Sequence, residues 1–173
     1  MGKIISETTV VCQEAELLDK HSIAIEAGCV LHPKCSINAE AGPIVLSENV
    51  IVEEQAVISN TLTTGEVMKI GPNNIFEVGS RFENSSIGSG NLIQCKAIIS
   101  HGCRIGSNCT IGAGVYIEPN SVIPDNTILY GYGASRSLPP SKEHELLASK
   151  MSESLQKVLP KFHHLQTTSA PAS

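Results

Sequence analysis

The stretch Ile105–Ile128, IGSNCTIGAGVYIEPNSVIPDNTI, carries an isoleucine at every sixth position: Ile105, Ile111, Ile117 and Ile123. Counting back in sixes adds Ile99, Ile93 and Ile87. Two residues before each lead sits a smaller side chain: Ala97, Cys103, Cys109, Val115, Ser121. The residue between them varies: Ile98, Arg104, Thr110, Tyr116, Val122. In a strand, residues i and i+2 share a face and i+1 points the other way. Cys103 and Ile105 therefore point in and Arg104 points out. The next three residues, Gly106-Ser107-Asn108 or Glu118-Pro119-Asn120, are turn formers. A short strand and a corner, repeated, describe one side of a triangular prism. Three hexads, about eighteen residues, close one coil of a parallel β-helix. Successive coils stack at about 4.8 Å.

The rhythm extends upstream with interruptions. Val11 and Leu17 lie six apart, then Ile25, Leu31 and Ile37, then Leu46, Val52 and Ile58, then Ile70, Phe76 and Phe82. Extra residues enter near Asp19–Ile23 and at Ala41–Val45, Asn60–Lys69 reads as a surface loop, and one residue is missing before Ile87. The repeat spans Val10 to Leu129. The expected fold is an all-β solenoid, a left-handed parallel β-helix of about six to seven triangular coils with a C-terminal α-helix. Its hand comes from the resemblance of sharp hexads to left-handed β-helices, because period alone does not fix it. Composition fits this core. Hydrophobic residues are 41% of the chain but aromatic ones only 3%, so Ile, Val and Leu must fill it.

A net charge of -5 without a basic patch argues against nucleic-acid binding. No apolar run reaches the length of a membrane span. MGKIISETTV lacks a signal-peptide apolar core, so the six Cys are expected as free thiols in a reducing compartment. Met1–Ser6 also fits the myristoylation template, but that template is short and matches often, and chance is the better reading, with Ile4 and Ile5 in the first strand.

Residues 1–133 are read as the β-helix, and 134–140, rich in Ser and Pro, as a linker. In the segment 141–160, Leu147, Met151, Leu155 and Val158 or Leu159 recur at helical spacing. Ser141 with Glu143 and Glu145 suits the helix start, and Pro160 is expected to end it. Residues 161–173 read as a flexible tail.

Cys29, Cys35, Cys103 and Cys109 all fall at the small inward position and need no chemistry to explain them. Cys12 and Cys95, with His32 and His101, fall at corners and are expected to be exposed. Two enzymatic readings are open. Acyltransferases of the hexapeptide type use a His as base, and His101 is the candidate within the best repeats. SHGCRIG at Ser100–Gly106 resembles the γ-class carbonic anhydrases, which hold zinc with three His. On that alignment Lys96 and Ser59 stand where the other two His belong, and Glu53-Glu54 stand where that family has Gln-Asp.

Further stretches go beyond what a β-helix requires: LHPKCSINAEAGPIV at Leu31–Val45, VEEQAVI at Val52–Ile58, IGPNNIFEVGS at Ile70–Ser80 and LPKFHHLQ at Leu159–Gln166. Together they resemble the dynactin subunit 6 family. The tail lacks the Ser/Thr-Pro pair that is phosphorylated in some relatives. The resemblance implies a non-enzymatic scaffold in the pointed-end complex of dynactin, supporting dynein-driven cargo transport on microtubules. The implied partners are dynactin subunit 5, the p62 subunit and Arp11, with no cofactor and no metal. The implied location is the cytoplasm and cytoskeleton, extending to the kinetochore. The outward residues Arg104, Tyr116, Val122 and Ile98 are more apolar than a free surface needs, and they are the expected partner contacts.

Overall fold

The structure is a computed structural model that describes residues 2–62, 65–131 and 134–166. Six complete triangular coils are followed by two sides of a seventh. The first three coils comprise β1 (Lys3–Ile5), β2 (Val10–Val11) and β3 (Glu16–Leu18); β4 (Ile23–Ile25), β5 (Val30–Leu31) and β6 (Ser36–Asn38); and β7 (Ile44–Leu46), β8 (Ile51–Val52) and β9 (Val57–Ser59). The next three comprise β10 (Met68–Ile70), β11 (Ile75–Phe76) and β12 (Arg81–Glu83); β13 (Ser86–Ile87), β14 (Leu92–Ile93) and β15 (Ile98–Ile99); and β16 (Arg104–Ile105), β17 (Thr110–Ile111) and β18 (Tyr116–Ile117). The partial coil holds β19 (Val122–Ile123) and β20 (Thr127–Tyr130). Every third strand stacks in parallel, giving three flat faces. The first face runs from β1 to β19, the second from β2 to β20, and the third from β3 to β18.

The lead residues form three internal columns. Ile5, Ile25, Leu46, Ile70, Ile87, Ile105 and Ile123 pair in register behind the first face. Val11, Leu31, Val52, Phe76, Ile93, Ile111 and Leu129 do so behind the second. Leu17, Ile37, Ile58, Phe82, Ile99 and Ile117 do so behind the third. The two core aromatics share the fourth coil, where their rings meet edge to face with centroids 5.6 Å apart.

Leads are six residues apart across the first and second edges of the prism in every coil. All the length variation falls at the third edge, where the third face turns into the first. Residues 19–22, 39–43 and 60–67 emerge there, and the coil short by one residue closes there as well. Asn60–Lys69, expected wholly as loop, is in part strand, because Met68-Lys69-Ile70 pair with Ile44-Val45-Leu46.

Corners turn on left-handed residues. Gly28, Asn49, Asn73, Gly90, Asn108 and Asn126 all have positive φ along the first edge. Asn tolerates this conformation through its short polar side chain. Inside the same edge, buried side chains join one coil to the next. Asn74 donates through Nδ2 to the Gly88 carbonyl at 2.7 Å and accepts through Oδ1 from the Asn91 N–H at 2.8 Å. Asn91 repeats the pattern, donating to the Gly106 carbonyl at 3.0 Å and accepting from the Cys109 N–H at 2.7 Å.

The C-terminal region closes the second face. Ala134–Ser137, expected within a linker, forms β21, antiparallel to β20. The helix α1 (Glu143–Phe162) follows, with the Ser141 hydroxyl accepting the Glu143 N–H. It lies against Val10, Val30, Ile51 and Ile75, the outward residues of the second face. Twenty residues at 1.5 Å each span about 30 Å, the height of six coils at about 4.8 Å. The buried stripe is Ala148, Ser152 and Leu159; Met151 and Leu155 are half-buried, and Leu147 and Val158 are exposed. The helix is therefore rotated from the orientation expected from its large residues. Small side chains let its axis approach the sheet, and the Ser152 hydroxyl donates to the Gly28 carbonyl. Pro160 does not end the helix, which continues to Phe162. In the final turn, its missing N–H removes only one helical bond. Beyond it, Leu165 bridges Cys12 antiparallel, capping the start of the second face. Of the expected flexible tail, residues 161–166 are ordered against the solenoid; 167–173 lie outside the described residues.

Replacing Asn91 with Ala strands the Cys109 N–H and the Gly106 carbonyl in the interior. The expected loss is about 3 kcal/mol of unfolding free energy by urea titration. Ser86→Ala on the exposed surface is expected to cost no more than about 0.5 kcal/mol. Equal losses in the two variants would contradict the buried ladder.

Candidate interaction surfaces and the third-edge groove

The expected partner contacts divide between two faces. Arg104 and Val122 pair in register on the first face, and Ile98 and Tyr116 on the third. Arg104, Tyr116 and Val122 are exposed, and Ile98 is half-buried. Tyr116 and Val122 stand on β18 and β19, the last strands of their faces. The sequence shows that these side chains point outward. That they end their sheets follows only from the stacking.

His101 is exposed at the third edge, and its imidazole makes no hydrogen bond or ion pair with a described residue. Lys96 lies at the far end of β15, on the second edge, with φ of 58°. Ser59 is buried at the end of β9, two strands from β15 on the third face. The chain thus does not bring the three zinc-family positions together. Among the described residues, no group of three His, Cys, Asp or Glu side chains is placed to hold a metal ion.

His32, expected to be exposed, is buried. Its Nδ1 lies 3.1 Å from Glu54 Oε1, while Nε2 has no partner among the described residues. Burial alone would raise the Glu54 carboxyl. The hydrogen bond and charge of His32, with His163 nearby, outweigh it and hold Glu54 below the usual range. Glu53 goes the other way, raised first by burial, with Glu77 and Glu54 adding to the effect. Cys12 is also buried, contrary to its corner position, because the segment after α1 covers it. Neither covering is visible in the local sequence, since both come from distant chain.

All six Cys are free thiols. The four inward ones are fully buried. Three of them act as weak donors that satisfy corner carbonyls. Cys29 donates to Ser47 at 3.0 Å, Cys103 to Glu118 at 3.2 Å and Cys109 to Pro124 at 3.1 Å. Burial pushes Cys29 and Cys35 up to about 12. Burial, reinforced by Glu54 and Glu14, pushes Cys12 up to about 11. Cys95 alone is exposed; the Glu77 carboxylate it faces raises its thiol, so it is no activated nucleophile.

One groove, of about 500 Å³, lies at the third edge. Asn60, Leu62, Glu66 and Val67 wall one side and the corner carrying His101 walls the other. Asn60 Nδ2, at the start of this stretch, donates to Glu66 O near its end at 2.9 Å and to Pro43 O of the preceding coil at 3.1 Å. Asn84 Oδ1 accepts from the N–H groups of Thr61 and Leu62 at 2.7 and 3.0 Å. No described helix is long and apolar enough to cross a membrane.

Residues 84–119 match the family described as Bacterial transferase hexapeptide (six repeats). The chain is 38% identical to dynactin subunit 6 of Nematostella vectensis, across 95% of this chain and 92% of that protein. It is 35% identical to dynactin subunit 6 of Xenopus tropicalis, across 95% and 84%. It is 36% identical to that of Dictyostelium discoideum, across 95% and 88%. Among solved structures, a putative acetyltransferase from Bacillus cereus superposes with a TM-score of 0.60 at 18% identity, covering 90% of each chain. A hexapeptide transferase family protein from Anaplasma phagocytophilum gives 0.54 at 11%, covering 92% and 96%. At these identities the two structures show a shared fold and no more.

A thiol raised by folding contributes stability that is complete below its ordinary value of 9.0. That stability is lost as pH rises towards about 12. The urea midpoint of the full chain is expected to fall between about pH 8 and pH 10.5. The fall should be shallower in Cys29→Ala/Cys35→Ala. An unchanged slope would mean that these thiols do not carry the alkaline loss.

Proposed function

The chain belongs to the dynactin subunit 6 family, and from that premise we propose that it is a non-enzymatic scaffold of the dynactin pointed-end complex. In this role it supports dynein-driven transport on microtubules in the cytoplasm through protein contacts alone. The observation that carries the reading is an asymmetry of capping. The chain closes its second face at both ends, with β21 and with the strand around Leu165, and covers it with α1. Among the described residues the first and third faces end bare, with β1 and β3 at one end and β18 and β19 at the other. Unpaired strand edges are templates for another chain. At the later end they carry Tyr116, 59% exposed, and Val122, 66% exposed. Covering such side chains contributes about 1.5–3 kcal/mol each.

We assign that end, with Ile98 and Arg104 beside it, to dynactin subunit 5. The flat first and third faces are left for the p62 subunit and Arp11. The enzymatic readings gain no support from the chain's residues. Among the described residues no carboxylate is hydrogen-bonded to His101, and catalytic zinc needs three protein ligands and an open position.

Tyr116→Asp/Val122→Asp, introduced into the tagged full chain, is expected to lower recovery of dynactin subunit 5 from cytosol by about tenfold or more. Its melting temperature should stay within about 2 °C of the parent, because both side chains are solvent-facing. Undiminished recovery would remove the end-stacking assignment.

A further inference from the structure

We infer that the third-edge groove binds an extended acidic segment of a partner protein, with two carboxylates about 9–10 Å apart bracketing an aliphatic residue. This site lies on the flank of the prism; it shares Arg104 with the margin of the stacking end but none of its unpaired strand edges.

The charge pattern comes from register. Lys69 on β10, Ser86 on β13 and Arg104 on β16 occupy the outward column of the first face, one strand apart. Two strand spacings separate the cations by about 10 Å. Both line the groove, together with His101. The ion pair formed among the described residues is His32–Glu54, so neither cation reaches a described carboxylate within 4 Å. Glu66 is the one carboxylate among the described lining residues, and it already has an interaction of its own. Groove-lining cations without protein partners attract anions from solution or from a partner.

The lining is not charge alone. Leu62 is 44% exposed and Val67 59% exposed on the loop wall. Between them and the cations, an aliphatic side chain finds apolar surface. A polyproline II segment rises about 3.1 Å per residue with three residues per turn, so carboxylates at i and i+3 face the same way about 9.3 Å apart. That spacing matches Lys69 and Arg104. A conventional strand would turn side chains three apart to opposite faces. The groove is built before any ligand arrives, because Asn60 and Asn84 fix the described ends of the loop.

The test uses the full chain and peptides carrying a neutral dye. One peptide has Glu-Pro-Leu-Glu within Gly-Ser flanks; its controls replace both Glu with Gln, or place the two Glu side by side. Anisotropy titration is expected to give the first peptide at least about tenfold tighter binding than either control. Lys69→Glu and Arg104→Glu should each remove about tenfold, and a Lys-Pro-Leu-Lys peptide should bind the double variant instead. Tyr116→Asp alone, on the third face and out of register with Arg104, should leave peptide binding unchanged, so failure here is separable from failure of the stacking assignment. Absence of binding, equal affinity for the Gln control, or indifference to Lys69→Glu would overturn the proposal. So would displacement by coenzyme A with no preference among the peptides, which would mark a phosphate site instead.

Discussion

The structure depends on like stacking over like. Each side of each coil contributes one large apolar side chain, branched aliphatic everywhere but at Phe76 and Phe82, that must rest on its counterpart about 4.8 Å below. From Ile5 to Ile123, the column behind the first face holds six isoleucines and one leucine in register. Such a core is filled by shape and leaves no interior room for a ligand. It also binds each coil chiefly to its neighbours, so the two ends are the natural places of incompleteness. The buried Asn74–Asn91–Cys109 ladder serves the same constraint, pairing corner groups that the tight turns would otherwise strand.

Where the constraint operates, sequence was enough. The hexad from Ile87 to Ile123, the inward Cys and the outward Arg104 and Tyr116 all follow from strand alternation. Regular spacing across the first and second edges made the coil count readable as well. Legibility fails where distant chain meets the solenoid. His32 and Cys12 look like exposed corner residues, yet one packs beside Glu54 and the other lies beneath the segment after α1. The helix was readable as helix, and Met151, Leu155 and Leu159 do face the solenoid, but Leu147 is exposed and the deepest positions go to Ala148 and Ser152. Ala148 and Ser152 win because close approach of the axis buries more of the sheet's Val and Ile. Residues 134–137 look like a linker because strand pairing with β20 leaves no apolar alternation in Ala-Ser-Arg-Ser.

The third-edge groove shows a different limit. The insertions at 19–22, 39–43 and 60–67 look like three separate faults in the repeat. Only the coil geometry places them on one edge, where they line up with the corner that carries His101. That edge is where irregular backbone gathers, and it is where the cations of the first face meet apolar loop residues. A scaffold built on a rigid repeat can vary only at its ends and at such an edge, since any change in the other two would shift a whole column out of register.

Amide hydrogen exchange tests the central claim, that the incomplete faces are completed by neighbours in dynactin. Exchange would be followed in the isolated chain and in the same chain within the purified complex. The account predicts that the backbone amides of Tyr116 and Val122, on the last strands of their faces, exchange readily alone and are protected in the complex. Those of Ala134–Ser137, already paired within the chain, should change little. Unaltered exchange at Tyr116 and Val122 on assembly would contradict it.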